Sequence, residues 1–257
     1  MIFSQQQSAL EELRIAANSN IHSILLVGPE GCGKSILAKE YGKLLNISDT
    51  VTVLPTVSDI RSAMETCMRL GSPIVLCIEN LDVGVSASSA TTLKFLEEPP
   101  SYVYIVVTCR NINKIPETIP SRCCTIDVGA PTSSDLLQYI TSKSSNIVLD
   151  NDLVKSLRSF SDIDNYLELT AVQRAYIESL NFEELCKRPV SDIVWKLGHF
   201  QDNSVIPIQL ILSYLIYIAP TQTIQRAGIS CASDISRGAI ASHAALAKFA
   251  FTMKYVE

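Results

Sequence analysis

The chain has 257 residues, 47% of them hydrophobic, enough for a main globular domain with room for one or two more. A formal net charge of −5 excludes broad nonspecific attraction to nucleic acid, while leaving room for a local basic stripe. Eight cysteines without a CxxC pair argue for free thiols in a reducing compartment, against a disulfide framework or a metal knuckle.

An amphipathic helix is predicted over residues 4–18, with Leu10, Leu13, Ala16 and Ala17 at helical spacing. No cationic, cleavable leader is visible, so no export is expected and the expected location is the cytoplasm. An apolar strand then runs from Ile24 into Gly28-Pro29-Glu30-Gly31-Cys32-Gly33-Lys34-Ser35, and a helix follows from Lys34 to about residue 45. Gly28, Gly33, Lys34 and Ser35 stand at P-loop spacing. Glycines there let backbone N–H groups converge on phosphate oxygens, and the helix points its positive end at the same anion. Lys34 is expected to neutralise the β- and γ-phosphates and Ser35 to offer its hydroxyl to Mg2+. The alternative, a glycine-rich turn that matches by chance, does not explain why strand, loop and helix occur in this order.

Residues 50–55 read as a short strand, and Ser58-Asp59 as the start of a helix that Gly71-Ser72-Pro73 ends. Arg61 and Arg69 lie off that helix's apolar face, as solvated charges would. Residues 74–78 are all apolar and read as a buried parallel strand with Glu79 at its C-terminal end, the edge of an α/β sheet where ligands sit. A helix over 87–96 stops at Pro99-Pro100, and a strand over 102–108 leads to Cys109-Arg110. Pro116 and Pro120 punctuate a turn ending in Ser121-Arg122-Cys123.

Beyond Pro131 the chain reads as helical. A helix is capped at Ser134-Asp135, a second starts at Asn151-Asp152 and carries Leu153, Val154, Leu157 and Phe160, and a third spans about 162–180. Further helices are predicted around Ile193, Val194 and Leu197, over 208–219 and over 235–255. The longest apolar run, 205–219, is broken by Pro207, Gln209 and Ser213 and is too short to span a bilayer, so no membrane partner is expected.

Leu93-Lys94-Phe95-Leu96-Glu97-Glu98-Pro99-Pro100 resembles a signature of DNA polymerase clamp loaders. Thr108-Cys109-Arg110 and Ser121-Arg122-Cys123 resemble their sensor 1 strand and Ser-Arg-Cys motif, and Ser58-Asp59-Ile60-Arg61 resembles their helix facing the primer-template. Together with the P-loop, the likeness covers most of residues 1–130 in the correct order, and it is nearest to the delta-prime subunit of the bacterial polymerase III loader. The resemblance implies an α/β AAA+ P-loop domain with a parallel sheet over residues 1–130. A small helical lid over 131–190 and a helical, collar-like domain over 191–257 would follow.

It further implies that the chain binds ATP and Mg2+ and works in a ring with other clamp-loader subunits, the sliding clamp and primer-template DNA. Gly28 to Ser35 and Arg110 would hold the nucleotide, and Ser35 and Glu79 the metal. Arg61 would meet DNA, and Arg122 would act as an arginine finger in a neighbour's site. Without the resemblance, Arg122 reads as a surface arginine paired with an acid such as Asp127.

Several positions depart from the family pattern. Glu79-Asn80 stands where the Walker B acids belong. Glu79 carries its carboxylate about one C–C bond (~1.5 Å) further out than an aspartate would. Asn80 can orient a water but cannot take its proton, so turnover by the lone subunit is expected to be weak. The family's four-cysteine zinc module is absent, and Ser161-Asp162-Ile163-Asp164 replaces a pattern that ends in the sensor 2 arginine. Two alternatives stand beside this reading: a structural member of the same ring that holds no nucleotide, and another AAA+ machine such as a helicase loader.

Overall fold

The computed structural model of the chain describes residues 4–84, 86–143, 152–198, 208–236 and 242–255. They form two compact units, Met1–Asp135 and Leu136–Glu257.

In the first unit, α1 (Ser4–Asn18) leads into β1 (Ser23–Val27), α2 (Lys34–Leu44), β2 (Thr50–Val53), α3 (Val57–Leu70) and β3 (Ile74–Ile78). A short 3-10 turn, Leu81–Val83, precedes α4 (Ser86–Glu97), β4 (Val103–Cys109) and β5 (Cys124–Asp127). The strands make one parallel sheet in the order β2-β3-β4-β1-β5. Every residue of β3 is buried, because alternate side chains serve opposite faces. Ile74, Leu76 and Ile78 join Ile60, Ala63 and Cys67 of α3 and Phe95 and Leu96 of α4. Val75 and Cys77 face the other way, into a cluster with Ala9 and Leu13 of α1 and Leu37, Ala38 and Tyr41 of α2. The sheet is therefore sandwiched between two helical layers, and all its strands end at one edge.

Two local expectations are corrected here. The N-cap of α3 is Thr56, whose hydroxyl accepts from Asp59 N at 3.2 Å, so the helix begins before Ser58. Residues 124–127, unassigned in the sequence, pair with β1 from Ile24↔Cys124 to Val27↔Asp127 and complete the sheet.

The helix α5 (Ser133–Lys143) begins with Thr132 and Asp135 bonded reciprocally, Asp135 Oδ2 accepting from Thr132 N at 2.9 Å and Thr132 Oγ1 from Asp135 N at 3.2 Å. Its start thus lies ahead of the expected Ser134-Asp135 cap. The second unit continues as helices: α6 (Asp152–Lys155), α7 (Phe160–Glu168), α8 (Ala171–Glu178), α9 (Phe182–Lys187), α10 (Val190–Gly198), α11 (Ile208–Ile218), α12 (Gln222–Ser236) and α13 (Ser242–Tyr255). The expected helix from Asn151 is shorter than its pattern: α6 stops at Lys155, Leu157 follows it and Phe160 opens α7. Asn151 and the side chain of Leu153 lie outside the described residues. The expected helix over 162–180 is two helices, because Thr170 and Gln173 form a capping box that starts α8 afresh.

Residues 205–207 of the apolar run also lie outside the described residues, and from Ile208 the run is α11. Leu210, Ile211, Leu212, Tyr214, Leu215 and Ile216 of that helix are buried. α12 approaches α11 closely at Gly228, where a Cβ would come within 2.5 Å of Ile216 Cγ1. α13 packs against α10 and α12, and its Phe249, Ala250 and Met253 are buried. Among the described residues no helix is long and apolar enough to cross a membrane.

Candidate functional site

The loop between β1 and α2 is built by its neighbours as much as by its own residues. Gly28 N donates to Cys109 O at 3.1 Å, and Val128 N donates to Val27 O at 2.6 Å, so the ends of β4 and β5 grip the loop's first residue. A Cβ on Gly28 would stand 2.3 Å from Val128 O, which no side chain tolerates. Gly31 and Gly33 take left-handed φ values of 68° and 94°, the region that favours glycine. Gly33 caps α2 without any side-chain bond, which leaves the helix's N-terminal end for an anion. Behind the loop, Gln6 of α1 donates to the carbonyl of Cys32 at 2.8 Å, a support with no local signal in the sequence. The Cys32 side chain is buried, and burial pushes its thiol up although Lys34 pulls it down.

Lys34 is also buried, and its Nζ donates to the carbonyls of Gly28 and Pro29, each at 2.7 Å. Ser35 Oγ donates to Glu79 Oε1 in a short bond that joins the start of α2 to the end of β3. The extra methylene of Glu79 therefore does not keep its carboxylate from the expected hydroxyl.

Beyond Glu79 the chain turns sharply. Asn80 sits at φ 48°, and its N donates to Thr108 Oγ1 at 2.9 Å. Two residues on, Asp82 Oδ1 accepts from Arg110 N at 3.0 Å. These two bonds tie the end of β3 to the end of β4 and fix the backbone of Arg110. Asp82 was not among the candidates from the sequence, and a carboxylate four residues past a strand carries no signal of its own.

The guanidinium of Arg110 reaches back to the loop, where Nη1 pairs with Glu30 Oε2 at 2.8 Å. Its Nε is buried without a hydrogen-bond partner, a donor still waiting for an acceptor. Gly28 to Ser35, Glu79, Asn80 and Arg110 thus gather at one sheet edge. Two cations, a helix N-terminus and an orphaned donor suit a polyphosphate. A hydroxyl in contact with a carboxylate supplies the hard oxygen donors that Mg2+ prefers. The residues present fit Mg2+ and a nucleoside triphosphate.

Two candidates stand apart from this cluster. Arg122, in a 3-10 turn over Pro120–Arg122, donates to Thr118 O at 3.0 Å and pairs with Glu97 at 3.2 Å, where Asp127 had been the acid expected from sequence. The turn carries the side chain toward the C-terminal end of α4. Arg61 lies on the exposed side of α3.

The family described as "DNA polymerase III, delta subunit" matches residues 55–132, and the one described as "Magnesium chelatase, subunit ChlI" matches residues 2–71. The DNA polymerase III subunit gamma of Buchnera aphidicola (subsp. Schizaphis graminum) is 25% identical over 174 residues, covering 55% of this chain and 48% of that protein. The sliding-clamp-loader large subunit of Escherichia phage RB69 is 30% identical over 126 residues, covering 46% and 39%. Among solved structures, a DNA polymerase III gamma subunit-related protein from Thermotoga maritima superposes with a TM-score of 0.56 at 16% identity, covering 95% of this chain and 98% of that one.

Over part of its length the chain is similar to members of the DNA polymerase III clamp-loader family. It spans less than half the length of these curated relatives. The five-stranded parallel sheet and its helices are the fold of that family. That similarity implies nucleotide and Mg2+ use in general terms.

Asp164, where the resemblance leads one to expect the sensor 2 arginine, accepts from Tyr139 Oη at 2.9 and 3.1 Å and pairs with Lys143 at 3.6 Å. Asp162 accepts from Arg158 N, and its own N donates to the Ser159 cap of α7. Burial pushes the Asp162 carboxyl up, and those cap bonds oppose the shift.

Proposed function

We propose that this chain is a clamp-loader subunit of the delta-prime type, which binds Mg2+·ATP at Gly28 to Ser35 and turns it over slowly on its own. The observation that carries this reading is the junction of Ser35 with Glu79 beside Lys34 and Arg110, next to an Asn80 that has no carboxylate. In this account Lys34 exchanges the carbonyls of Gly28 and Pro29 for phosphate oxygens, and Ser35 and Glu79 hold the metal. The bound Mg2+·ATP supplies the phosphoanhydride and the cation that neutralises its oxygens. The Asn80 amide orients a water without taking its proton, which is why cradle and turnover part company.

Within a ring on primer-template DNA, helping to open and load the sliding clamp, Arg122 serves a neighbour's nucleotide and Arg61 meets the template backbone. Residues 131–190 act as the lid and 191–257 as the collar of that assembly, in the cytoplasm. The bonds of Asp164 to Tyr139 and Lys143 support a lid without its own phosphate clamp.

A second reading has one observation in its favour. Lys34 and Arg110 are already partnered within the chain, as they would be in a structural ring subunit that holds no nucleotide. Purification of the tagged chain from cells co-expressing the replication proteins, followed by identification of its companions, tests the assembly. Recovery of a clamp and loader subunits is expected; recovery of the chain alone, or with a helicase and no clamp, would sink it.

A further inference from the structure

The mouth of the phosphate cradle is crossed by an ion pair that the cradle makes with itself. Glu30 is a loop residue, and its carboxylate holds the Arg110 guanidinium at 2.8 Å. Arg110 is anchored from behind, its N–H bonded to Asp82, and it follows Cys109, whose carbonyl accepts from Gly28 N. The backbone of Arg110 therefore stays beside the loop whatever Glu30 does, and the partner of its guanidinium is open to exchange. Its Nε remains buried and unpartnered, so Glu30 does not meet the full donor capacity of this side chain. A carboxylate is also the protein group that most resembles one face of a phosphate, and arginine takes either in the same forked geometry.

We infer that Glu30 is an internal competitor for the nucleotide: its carboxylate occupies Arg110 while the site is empty and yields when a phosphate arrives. The inference rests on the nucleotide-binding reading and adds to it a residue that sets affinity. The pair is half open to water, with Glu30 more exposed than Arg110, so it gives way at small cost. Glu30 then lowers the affinity for nucleotide by a modest factor and makes Arg110 available only on occupancy.

The test is Mg2+·ATP binding by calorimetry to the wild-type chain, E30Q, R110Q and the double variant. E30Q is expected to bind about three- to fivefold tighter, the scale of a partly exposed ion pair. R110Q is expected to bind more weakly, and adding E30Q to R110Q is expected to change nothing further. Unchanged or weaker binding by E30Q overturns the inference. So does a gain from E30Q that persists in the R110Q background, because Glu30 would then be repelling phosphate directly instead of holding Arg110. Absence of binding in all four proteins would overturn the nucleotide reading itself, and the inference with it.

Discussion

At the scale of single residues, the cradle depends on one glycine that has no room to change. Gly28 is held where a Cβ would stand 2.3 Å from the backbone oxygen of Val128. Since that oxygen belongs to the chain leaving β5, relief requires the sheet edge to move. Gly28→Ala is therefore expected to destabilise the chain by about 1–3 kcal/mol, the usual cost of overpacking, and to abolish nucleotide binding. Chemical denaturation checks the first effect; an unchanged midpoint would mean that the edge yields freely. Arg122 is a different kind of residue. Its partners are Thr118 O and Glu97, both outside the cradle, and none of them needs a nucleotide. Arg122→Ala is expected to leave nucleotide binding by this chain intact and to slow DNA-stimulated hydrolysis by the assembled loader by about 10³-fold or more, the scale of an arginine finger. Steady-state ATPase of the reconstituted complex measures this, and full-speed hydrolysis would remove the trans role.

At the scale of elements, α3 separates stability from contact with DNA. Its N-cap, Thr56, meets Asp59 N, whereas Arg61 one turn on lies exposed. Thr56→Ala is expected to cost about 1 kcal/mol of stability. Arg61→Ala is expected to leave stability within ~0.5 kcal/mol and to weaken primer-template binding by the assembled loader. A pair of melting curves and a salt-dependent DNA titration distinguish the two; equal DNA affinity in Arg61→Ala would return Arg61 to an ordinary surface charge. Elements with a strong local pattern were legible in the sequence, among them α1, β3 and the loop between β1 and α2. What escaped was made by partners distant in the chain. β5 has four residues, of which only Ile126 is buried, and it exists because β1 offers it a parallel edge. The ion pair from Glu30 to Arg110 joins residues 80 positions apart and left no local trace. The break between α7 and α8 did leave one, since Thr170 and Gln173 spell a capping box that an unbroken apolar pattern overrode.

At the scale of the whole molecule, the buried sheet predicts how the protein responds to alkali. Burial pushes the Cys77 thiol from 9.0 up to about 12 and that of Cys109 up to about 11. The native state therefore keeps these protons longer than the unfolded chain. Their contribution is complete below about pH 9 and is lost as pH rises toward the folded values, at about 1.4 kcal/mol per thiol per pH unit. Urea midpoints between pH 8 and 10.5 are expected to fall accordingly; a flat profile would mean that the unfolded chain does not release these protons. The central claim is a cradle that binds a triphosphate without consuming it quickly. It is tested most directly by a single-turnover experiment with the isolated, monodisperse chain in excess over labelled Mg2+·ATP. The account predicts that the label is retained and stays ATP for many minutes, and that Lys34→Ala retains none. Rapid release of phosphate by the lone chain, or equal retention by Lys34→Ala, would contradict it.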